Sequence, residues 1–588
     1  MKRRLADLFT PCAMALVPVL SLVLGFQPKT LAHEPPGQGQ TATKGIEGDW
    51  QGTLKVSGTE MRLALHIAIN NSDGYKATMD SLDQGTNGIP ITSMSFKDSK
   101  MKFTVDSIQG SYEGTADNAG AAISGTWVQS GQPFPLDFKR ATSPIKTEHK
   151  PAEPSDIDGA WLGTVEVGAA KLRIVFHVAN TEDGLTATMD SLDQDVKGIP
   201  ATEVKRDGDS LTIEMKQLGG IFKGTINKDR TAIEGTWTQG GATRPFAMQR
   251  VKDAAELKVR RPQNPNPPLP YGYQEASFEN KQAGVKLAGT FTAPPSQGPF
   301  PAVVLIAGSG PHDRDESILG HRPFLIISDY LTRHGVVVLR YDKRGVEQSS
   351  GDYNTATTSD FASDAEAAFK YLRTLPGVDP RRAGLIGHSE GAIIAPIVAA
   401  RNPDVAFIVM MAGSGVPGDQ VLAEQKTLIS EAAGMSPQKA EKEGDEEREI
   451  LSMVKAESDD AALEKAVAQR LAGKTPEAQL GTQVKMLSSP WFRYFISYDP
   501  ATALRKVTCP VLVLSGERDL QVPPRQNLPA IGKALEAAGN RHFQIDELPG
   551  LNHLFQPAKT GSPAEYGAVE TTISPVVLEE ISDWILKQ

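Results

Sequence analysis

Apolar and polar residues alternate along the first half of the chain with the period of β-strands. An apolar side chain at every second position predicts a strand with one buried face and one exposed face. Hairpin turns are indicated at 72–74 and 182–184, where acidic residues precede a glycine. We therefore expect this half of the chain to be all-β. The clearest run consists of Leu63, Leu65, Ile67 and Ile69, separated by Ala64, His66 and Ala68.

The same half contains a long internal repeat. Two copies of one pattern predict two β domains, residues 46–140 and 156–250, each a small barrel or sandwich of about six to eight short strands. Proline-rich stretches at 141–155 and 261–270 predict linkers. The matching segments are 77–84 with 187–194 (187 − 77 = 110), 88–90 with 198–200, and 125–127 with 235–237.

From about residue 271 the pattern changes to short, continuous apolar runs that alternate with helical stretches. Such runs predict strands buried on both faces. Their alternation with helices predicts an α/β domain, residues 271–588, with a mostly parallel sheet between two helical layers. A charged, helix-prone segment at about 418–500 predicts a helical cap. The predicted strands cover 301–306, 335–339, 383–386, 405–411, 511–514 and 543–548.

Composition and charge argue against some classes of partner. The chain is 39% hydrophobic and 22% charged, with a formal net charge of −10. Because no basic run occurs beyond the N-terminus, neither nucleic acid nor an anionic membrane surface is an expected partner. Cys509 is the one cysteine after residue 32, so we expect neither an internal disulfide nor a cysteine-based metal site.

Residues 1–32 have the pattern of a cleaved signal peptide. Lys2, Arg3 and Arg4 precede a mainly apolar run at 13–26, and small residues follow at 30–32. A membrane anchor is the alternative, but the run is shorter than the ~20 apolar residues that a membrane span needs. We expect the mature protein to be periplasmic or secreted, without a membrane span.

A serine in a sharp strand-to-helix turn is the first candidate for chemistry. The sequence Gly-His-Ser-Glu-Gly at 387–391 follows an apolar strand and precedes a helix-forming stretch. This setting is typical of a nucleophile elbow, in which Ser389 would be exposed on a strained backbone. The flanking glycines suit it because a Cβ atom there would collide with neighbouring elements. The alternative is a turn with a purely structural role.

A serine hydroxyl needs a base to take its proton and a carboxylate to orient that base. Asp519 follows the strand at 511–514, and His553 follows the last predicted strand. Their order after Ser389 is the order expected for this kind of elbow. Glu517 is the alternative acid. His542 also follows Asp519, but it begins a strand and is expected to be structural.

The oxyanion that forms during acyl transfer needs two backbone N–H donors. Glu390 is the first candidate because it begins the helix after the nucleophile. The loop at 307–311 should provide the second donor, with Ser309 preferred and Gly308 as the alternative.

The segment from about 275 to 588 resembles bacterial esterases of the α/β-hydrolase superfamily, close to the serine-aminopeptidase-like group. The resemblance implies ester hydrolysis without a cofactor, with the same triad and oxyanion loop. At 346–350 the chain departs from the Gly-x-Gly-x-Ser-like run that family members usually carry, which affects the expected loop shape. The resemblance is carried by 308–315, 340–345, 387–391, 490–493, 498–500, 516–523 and 552–553.

The predicted cap should select the acyl group of a small-molecule ester. Trp491, Phe492 and Phe495 are the substrate-binding candidates, and we expect short to medium acyl chains. Two other functions stay open. One is a peptidase or amidase of the serine-aminopeptidase type, which would need an acidic patch, such as that at 441–447, to hold the amine of its substrate. The other is a binding protein whose hydrolase domain is inactive.

The remaining polar clusters are expected to be structural. Asp80 with Asp83, and Asp190 with Asp193, lack the spacing of a calcium loop, so no metal is expected. His66 and His177 match across the repeats, as do four tryptophans, and we interpret both sets as part of the β-domain fold. Arg340, Asp342 and Arg344 predict an ion-paired turn. Whether the β domains bind a glycan, a lipid or a protein surface stays open, and we interpret them as accessory.

Overall fold

The structure is a computed structural model containing three β-sheets, two of them in the N-terminal half. The predicted signal peptide and the predicted turn residues 72, 73, 182 and 183 lie outside the described residues. No helix among the described residues is long and apolar enough to cross a membrane. The described residues are 46–56, 59–70, 74–81, 86–91, 93–97, 99–105, 110–117, 119–129, 132–141, 153–167, 170–181, 184–194, 196–239, 242–253, 257, 260–472 and 477–588.

The first sheet is formed by nine antiparallel strands. The two ends of the β region, β1 and β9, pair in its centre, and the strand order is β4-β3-β2-β1-β9-β8-β7-β6-β5. The strands are β1 Gly48–Val56, β2 Thr59–Asn70, β3 Gly74–Ser81, β4 Thr86–Pro90, β5 Ser93–Lys97, β6 Lys100–Val105, β7 Gly110–Ala116, β8 Ala122–Gln129 and β9 Gln132–Arg140.

The second sheet repeats this topology, as the sequence repeat predicts. Its order is β13-β12-β11-β10-β18-β17-β16-β15-β14. Each sheet has nine strands, so the expectation of six to eight was too low. The five-residue strands β5, β13 and β14 contain no fully buried residue, so each gives only a weak signal in the sequence. The strands are β10 Gly159–Val167, β11 Ala170–Thr181, β12 Gly184–Ser191, β13 Val196–Pro200, β14 Glu203–Asp207, β15 Ser210–Met215, β16 Gly220–Ile226, β17 Ala232–Gln239 and β18 Ala242–Arg250.

The paired tryptophans belong to the β cores, as predicted. Trp50 and Trp161 are fully buried, and each donates its indole N–H to the carbonyl four residues earlier. Trp127 and Trp237 are buried as well, each against a glycine of the neighbouring strand that has no room for a Cβ atom. The repeated tryptophans therefore fill equivalent core positions in the two domains.

The third sheet contains eight strands and forms the centre of the C-terminal domain. Its order is β19-β20-β22-β21-β23-β24-β25-β26, antiparallel from β19 to β22 and parallel from there on. The antiparallel hairpin β19–β20 was not predicted from the sequence. The strands are β19 Gly272–Asn280, β20 Val285–Ala293, β21 Phe300–Ile306, β22 Val337–Tyr341, β23 Val378–His388, β24 Ile408–Met411, β25 Val511–Gly516 and β26 Phe543–Leu548.

Helices cover both faces of this sheet. Successive residues of β21 face opposite cores: Val304 packs with α2 and α3, whereas Val303 packs with α1 and α11. Helices α4 to α8 lie in the chain between β24 and β25, which confirms the predicted fold class with its helical cap. The helices are α1 Pro323–Arg333, α2 Thr358–Leu372, α3 Glu390–Ala399, α4 Gly418–Ala432, α5 Pro437–Ala456, α6 Asp460–Leu471, α7 Glu477–Ser488, α8 Pro490–Ser497, α9 Ala501–Leu504, α10 Pro524–Ala537 and α11 Pro575–Lys587.

Candidate active site

Ser389 lies in a sharp turn between β23 and α3. Its backbone has φ 54° and ψ −115°, a conformation that is costly for a residue with a side chain. A Cβ atom on Gly387 would overlap the Gly391 carbonyl, and one on Gly391 would overlap the Ile306 carbonyl. Close packing therefore requires both flanking glycines, and Ser389 between them has the strained backbone conformation of the turn.

Asp519 and His553 form a buried pair at the ends of the last two strands. His553 Nδ1 donates to Asp519 Oδ2 at 2.8 Å, which leaves Nε2 as the nitrogen able to accept a proton. The backbone N–H groups of Gln521 and Val522 donate to Asp519 Oδ1 at 2.9 and 2.8 Å. Three donors thus fix the orientation of the Asp519 carboxylate, and the carboxylate in turn fixes the orientation of the His553 imidazole.

The alternative acid and base lie away from this pair. Glu517 is exposed, and its carboxylate accepts the backbone N–H of Gly550 at 2.8 Å. His542 is exposed at the start of β26. Neither residue is hydrogen-bonded to His553 in the described part of the chain.

His388 connects the nucleophile turn to the His553 loop. Its Nε2 donates to the His553 carbonyl at 3.0 Å, and the two rings lie 4.9 Å apart between centroids. Its Nδ1 is 3.0 Å from Oε1 of the buried Glu316. Because His388 immediately precedes Ser389, this contact brings the two halves of the predicted triad to the same edge of the sheet.

Glu316 and His388 perturb each other's ionisation. Burial disfavours the charged carboxylate, but the charge and hydrogen bond of His388 outweigh it and lower the pKa of Glu316. Burial also opposes a charged His388, whereas Glu316 raises the pKa of His388 above its ordinary value. The two shifts describe a buried ion pair directly beside Ser389.

The loop after β21 offers one candidate oxyanion donor. Gly308 N–H donates to Glu316 Oε1 at 2.6 Å, so the alternative donor is already engaged. Across the residues that the structure describes, the N–H groups of Ser309 and Glu390 have no hydrogen-bond acceptor. A Cβ atom on Gly308 would lie 3.1 Å from the Cβ of Ser389, which shows how closely this loop approaches the nucleophile.

A buried lysine links the oxyanion loop to α3. Lys343 Nζ donates to the Gly308 carbonyl at 2.6 Å and to Glu390 Oε2 at 3.1 Å. Glu390 Oε1 accepts from the Thr358 hydroxyl and from the Trp491 indole, both at 2.7 Å. From the sequence, Glu390 was expected to act only through its backbone N–H, and no role was predicted for Lys343, although it lies within the motif at 340–345.

The charged residues around Lys343 form the predicted ion-paired turn. Arg314 binds Asp342 at 2.7 Å, Arg344 binds Asp364 at 2.6 Å, and Arg340 pairs with Asp315. These pairs connect the loop after β22 to the loop after β21 and to α2. Their role in holding loops together is confirmed.

The three predicted substrate residues lie on α8 and are buried. Trp491 stacks on Phe495 with ring centroids 5.4 Å apart, and Phe492 is 2% exposed. The indole N–H of Trp491 is engaged by Glu390, so only its ring surface remains for an apolar group. Their contact with substrate stays a prediction.

The acidic residues of the repeats are engaged by the protein itself. Asp193 Oδ1 accepts from Arg173 Nε at 3.0 Å, and Asp190 Oδ1 accepts the Gly198 N–H at 2.7 Å. His66 lies between Asp49 and Asp80 at 2.7 and 3.0 Å. Burial lowers the pKa of His66, but these two carboxylates raise it overall. Asp83 lies outside the described residues.

Comparison with known proteins gives matches to esterases and other hydrolases. The model of the Alpha/beta hydrolase family matches residues 303–566. Esterase EstD of Thermotoga maritima is 29% identical over 369 residues, which cover 62% of this chain and 80% of that protein. Thiohydrolase apmlB of Arthrinium phaeospermum is 38% identical over 87 residues, 14% of this chain and 27% of that protein. The structure of the esterase Pf2001 of Pyrococcus furiosus covers 54% of this chain and 91% of its own, with 17% identity and a TM-score of 0.35.

Proposed function

We propose that the protein is a serine hydrolase that cleaves carboxylic esters, since its C-terminal domain matches the model of the Alpha/beta hydrolase family. The observation that carries the proposal is the 2.8 Å pair of Asp519 and His553, on a loop bonded to the residue before Ser389. The similarity to an esterase over 369 residues supports an ester as the substrate class.

In the proposed reaction Ser389 attacks the ester carbonyl while His553 Nε2 takes its proton. Asp519 holds the Nδ1–H of the imidazole and stabilises the positive charge that develops on the ring. His553 then donates the proton to the leaving alcohol, and an acyl-enzyme forms on Ser389. Water, activated by the same imidazole, releases the acid and restores the hydroxyl.

The N–H groups of Ser309 and Glu390 are the proposed donors to the oxyanion. Loss of one such donor typically costs ~10²–10³ in turnover. The bonds of Lys343 to the Gly308 carbonyl and to the Glu390 carboxylate support this role, because they fix the spacing between the two donor segments.

The proposed acyl site uses the rings of Trp491, Phe492 and Phe495. Each buried CH₂ contributes only ~0.8 kcal/mol, so the preference among short and medium acyl chains should be graded. We further propose that residues 1–32 direct export to the periplasm or the medium, because their charged start and apolar run have the pattern of a cleaved signal.

The first prediction concerns the nucleophile. Ser389→Ala should abolish turnover of an aryl ester and covalent labelling by a fluorophosphonate, because it removes the hydroxyl of the proposed nucleophile. The melting temperature should stay close to that of the unchanged protein. Both readouts are measured in the full chain, with mass spectrometry to locate the label.

Ser277→Ala is the matched control, since Ser277 is exposed on β19 and belongs to no proposed site. Retained turnover in Ser389→Ala would refute the assignment. An amino-acid anilide, assayed beside the aryl ester, tests the peptidase or amidase alternative. An unchanged protein that neither labels nor turns over any of these compounds would favour a binding protein with an inactive hydrolase domain.

A further inference from the structure

A turn beyond His553 supports the acid of the proposed triad. The chain between His553 and α11 forms a short 3-10 helix, Pro563–Ala568, in which Tyr566 is fully buried. Gln521 Nε2 donates to the Tyr566 hydroxyl at 3.0 Å, while the backbone N–H of Gln521 donates to Asp519 at 2.9 Å. Burial and the charge of Asp519 raise the pKa of Tyr566 well above its ordinary value, so the phenol stays neutral.

The next residue of this turn, Gly567, packs directly on the second β domain. A Cβ atom on Gly567 would overlap the backbone carbonyl of Asp193, in the short 3-10 helix Leu192–Gln194. Asp193 is itself fixed, because its carboxylate accepts the backbone N–H of Arg173 at 2.7 Å and Arg173 Nε at 3.0 Å. The β domain therefore presents a rigid surface to the turn.

The linker after the second β domain holds the same turn. Arg261 donates through Nη2 to the Gly567 carbonyl at 2.9 Å and to the Leu319 carbonyl at 3.0 Å. Gln263 Oε1 accepts the N–H of Thr572 at 2.6 Å, and its Nε2 donates to the Ile573 carbonyl at 2.7 Å. The segment from Gly567 to Ile573 is thus held by residues outside the α/β sheet.

Besides the second β domain and the linker, His321 also holds this turn, through the backbone carbonyl of Tyr566. His321, which is completely buried, donates from Nε2 to that carbonyl at 2.9 Å. Burial and the nearby Arg261 lower the pKa of His321 to about 4, so the ring is neutral near neutral pH. The backbone carbonyls of Tyr566 and Gly567 are thus each bound by a side chain from outside the turn.

We infer that the second β domain and its linker position the acid and imidazole of the triad through Tyr566 and Gly567. This inference rests on the proposed hydrolase function. It gives the second β domain a part in catalysis, in place of the accessory role expected from the sequence. Tyr566 is a positioning residue, since it acts on Asp519 through Gln521 and does not contact the reacting atoms.

The test is Gly567→Ala in the full chain, assayed with an aryl ester well below the melting temperature. The added methyl group must push the turn away from Asp193, and a shift of about 1 Å at a catalytic group can cost ~10² in rate. We expect kcat per fluorophosphonate-labelled site to fall about that much, with KM little changed. The rate of labelling should fall in parallel, because it depends on the same activated hydroxyl.

Gly272→Ala is the matched control, because its Cβ atom would meet only the Ala293 carbonyl at 3.9 Å. A folded Gly567→Ala protein with unchanged kcat and labelling rate would overturn the inference. If Gly567→Ala does not fold, the variants Arg261→Lys and Tyr566→Phe test the inference instead. Each should lower kcat about threefold to tenfold, the effect of one or two lost hydrogen bonds, and unchanged rates in both would overturn the inference. Absence of labelling in the unchanged protein would instead refute the proposed function.

Discussion

At the scale of single residues, the pair of Glu316 and His388 is the least expected part of the candidate site. One carboxylate oxygen accepts both the Gly308 N–H and the imidazole of His388, whose other nitrogen donates to the His553 carbonyl. The pair therefore connects the oxyanion loop, the nucleophile turn and the His553 loop. Nothing in the sequence around Glu316 signals this role, because its partners lie 8 and 72 positions away.

Glu316→Gln should destabilise the protein in a pH-dependent way. The pKa of Glu316 is lowered from 4.5, so its contribution is present above pH 4.5 and is lost as pH falls through the lower folded value. The pKa of His388 is raised from 6.5, so its contribution is present below pH 6.5 and is lost as pH rises through the higher folded value. The variant should therefore lose most stability between pH 4.5 and 6.5.

We expect a loss of ~1.5–3 kcal/mol in the free energy of unfolding in that window, the range for hydrogen bonds to charged groups. Urea unfolding at several pH values measures it. Glu279→Gln, at an exposed position on β19, is the control. A loss that is independent of pH from 4.5 to 9 would show that the pair is not ionised as described.

At the scale of elements, the structure joins the cap to the nucleophile helix by one hydrogen bond between α8 and α3. The Trp491 indole donates to Glu390 at 2.7 Å, and the same ring stacks on Phe495. Because Glu390 is the residue after Ser389, this bond connects α8 to the turn that contains the proposed nucleophile. The helical cap is thus bonded to the turn at Ser389, besides its proposed role in acyl binding.

Trp491→Phe should separate these two roles, because it removes the N–H donor and keeps an aromatic ring. We expect the free energy of unfolding to fall by ~1.5–3 kcal/mol, since a buried carboxylate loses a donor. The relative rates on aryl esters of increasing acyl length should keep their order. Trp584→Phe on α11 is the control, and an equal loss of stability there would contradict the special role of the Trp491 bond.

The sequence predicted secondary-structure elements correctly where a pattern of neighbouring residues marks them. The alternation around Leu65 identifies β2, and the glycines that flank Ser389 identify the turn between β23 and α3. The hairpin β19–β20 was missed because β20 alternates between buried and less buried residues at its start and is continuously buried from Gly289 to Thr292, so it fits neither strand pattern over its whole length. The contact between Gly567 and Asp193 could not be predicted, since it joins residues far apart in sequence and depends only on shape.

At the scale of the whole molecule, the two β domains share one topology, and the second of them packs against the C-terminal domain. Residues of the second domain and its linker contact the turn that contains Tyr566 and Gly567. No residue assigned to the site or to its support lies before Arg173. The inferred support of the triad therefore comes from the second copy of the repeat, through Asp193 and Gly567, and from its linker, through Arg261.

Two truncated chains should consequently behave differently. A chain that begins at residue 153 keeps β10 to β18, Arg261 and Gln263, and we expect its kcat and KM on an aryl ester to equal those of the full chain. A chain that begins at residue 271 loses the packing on Gly567 and the bonds to Gly567 and Ile573. Its kcat per labelled site should fall by ~10², because the acid and imidazole lose their support. Equal kcat in both truncated chains, each with a cooperative thermal transition, would show that the α/β domain positions its own triad.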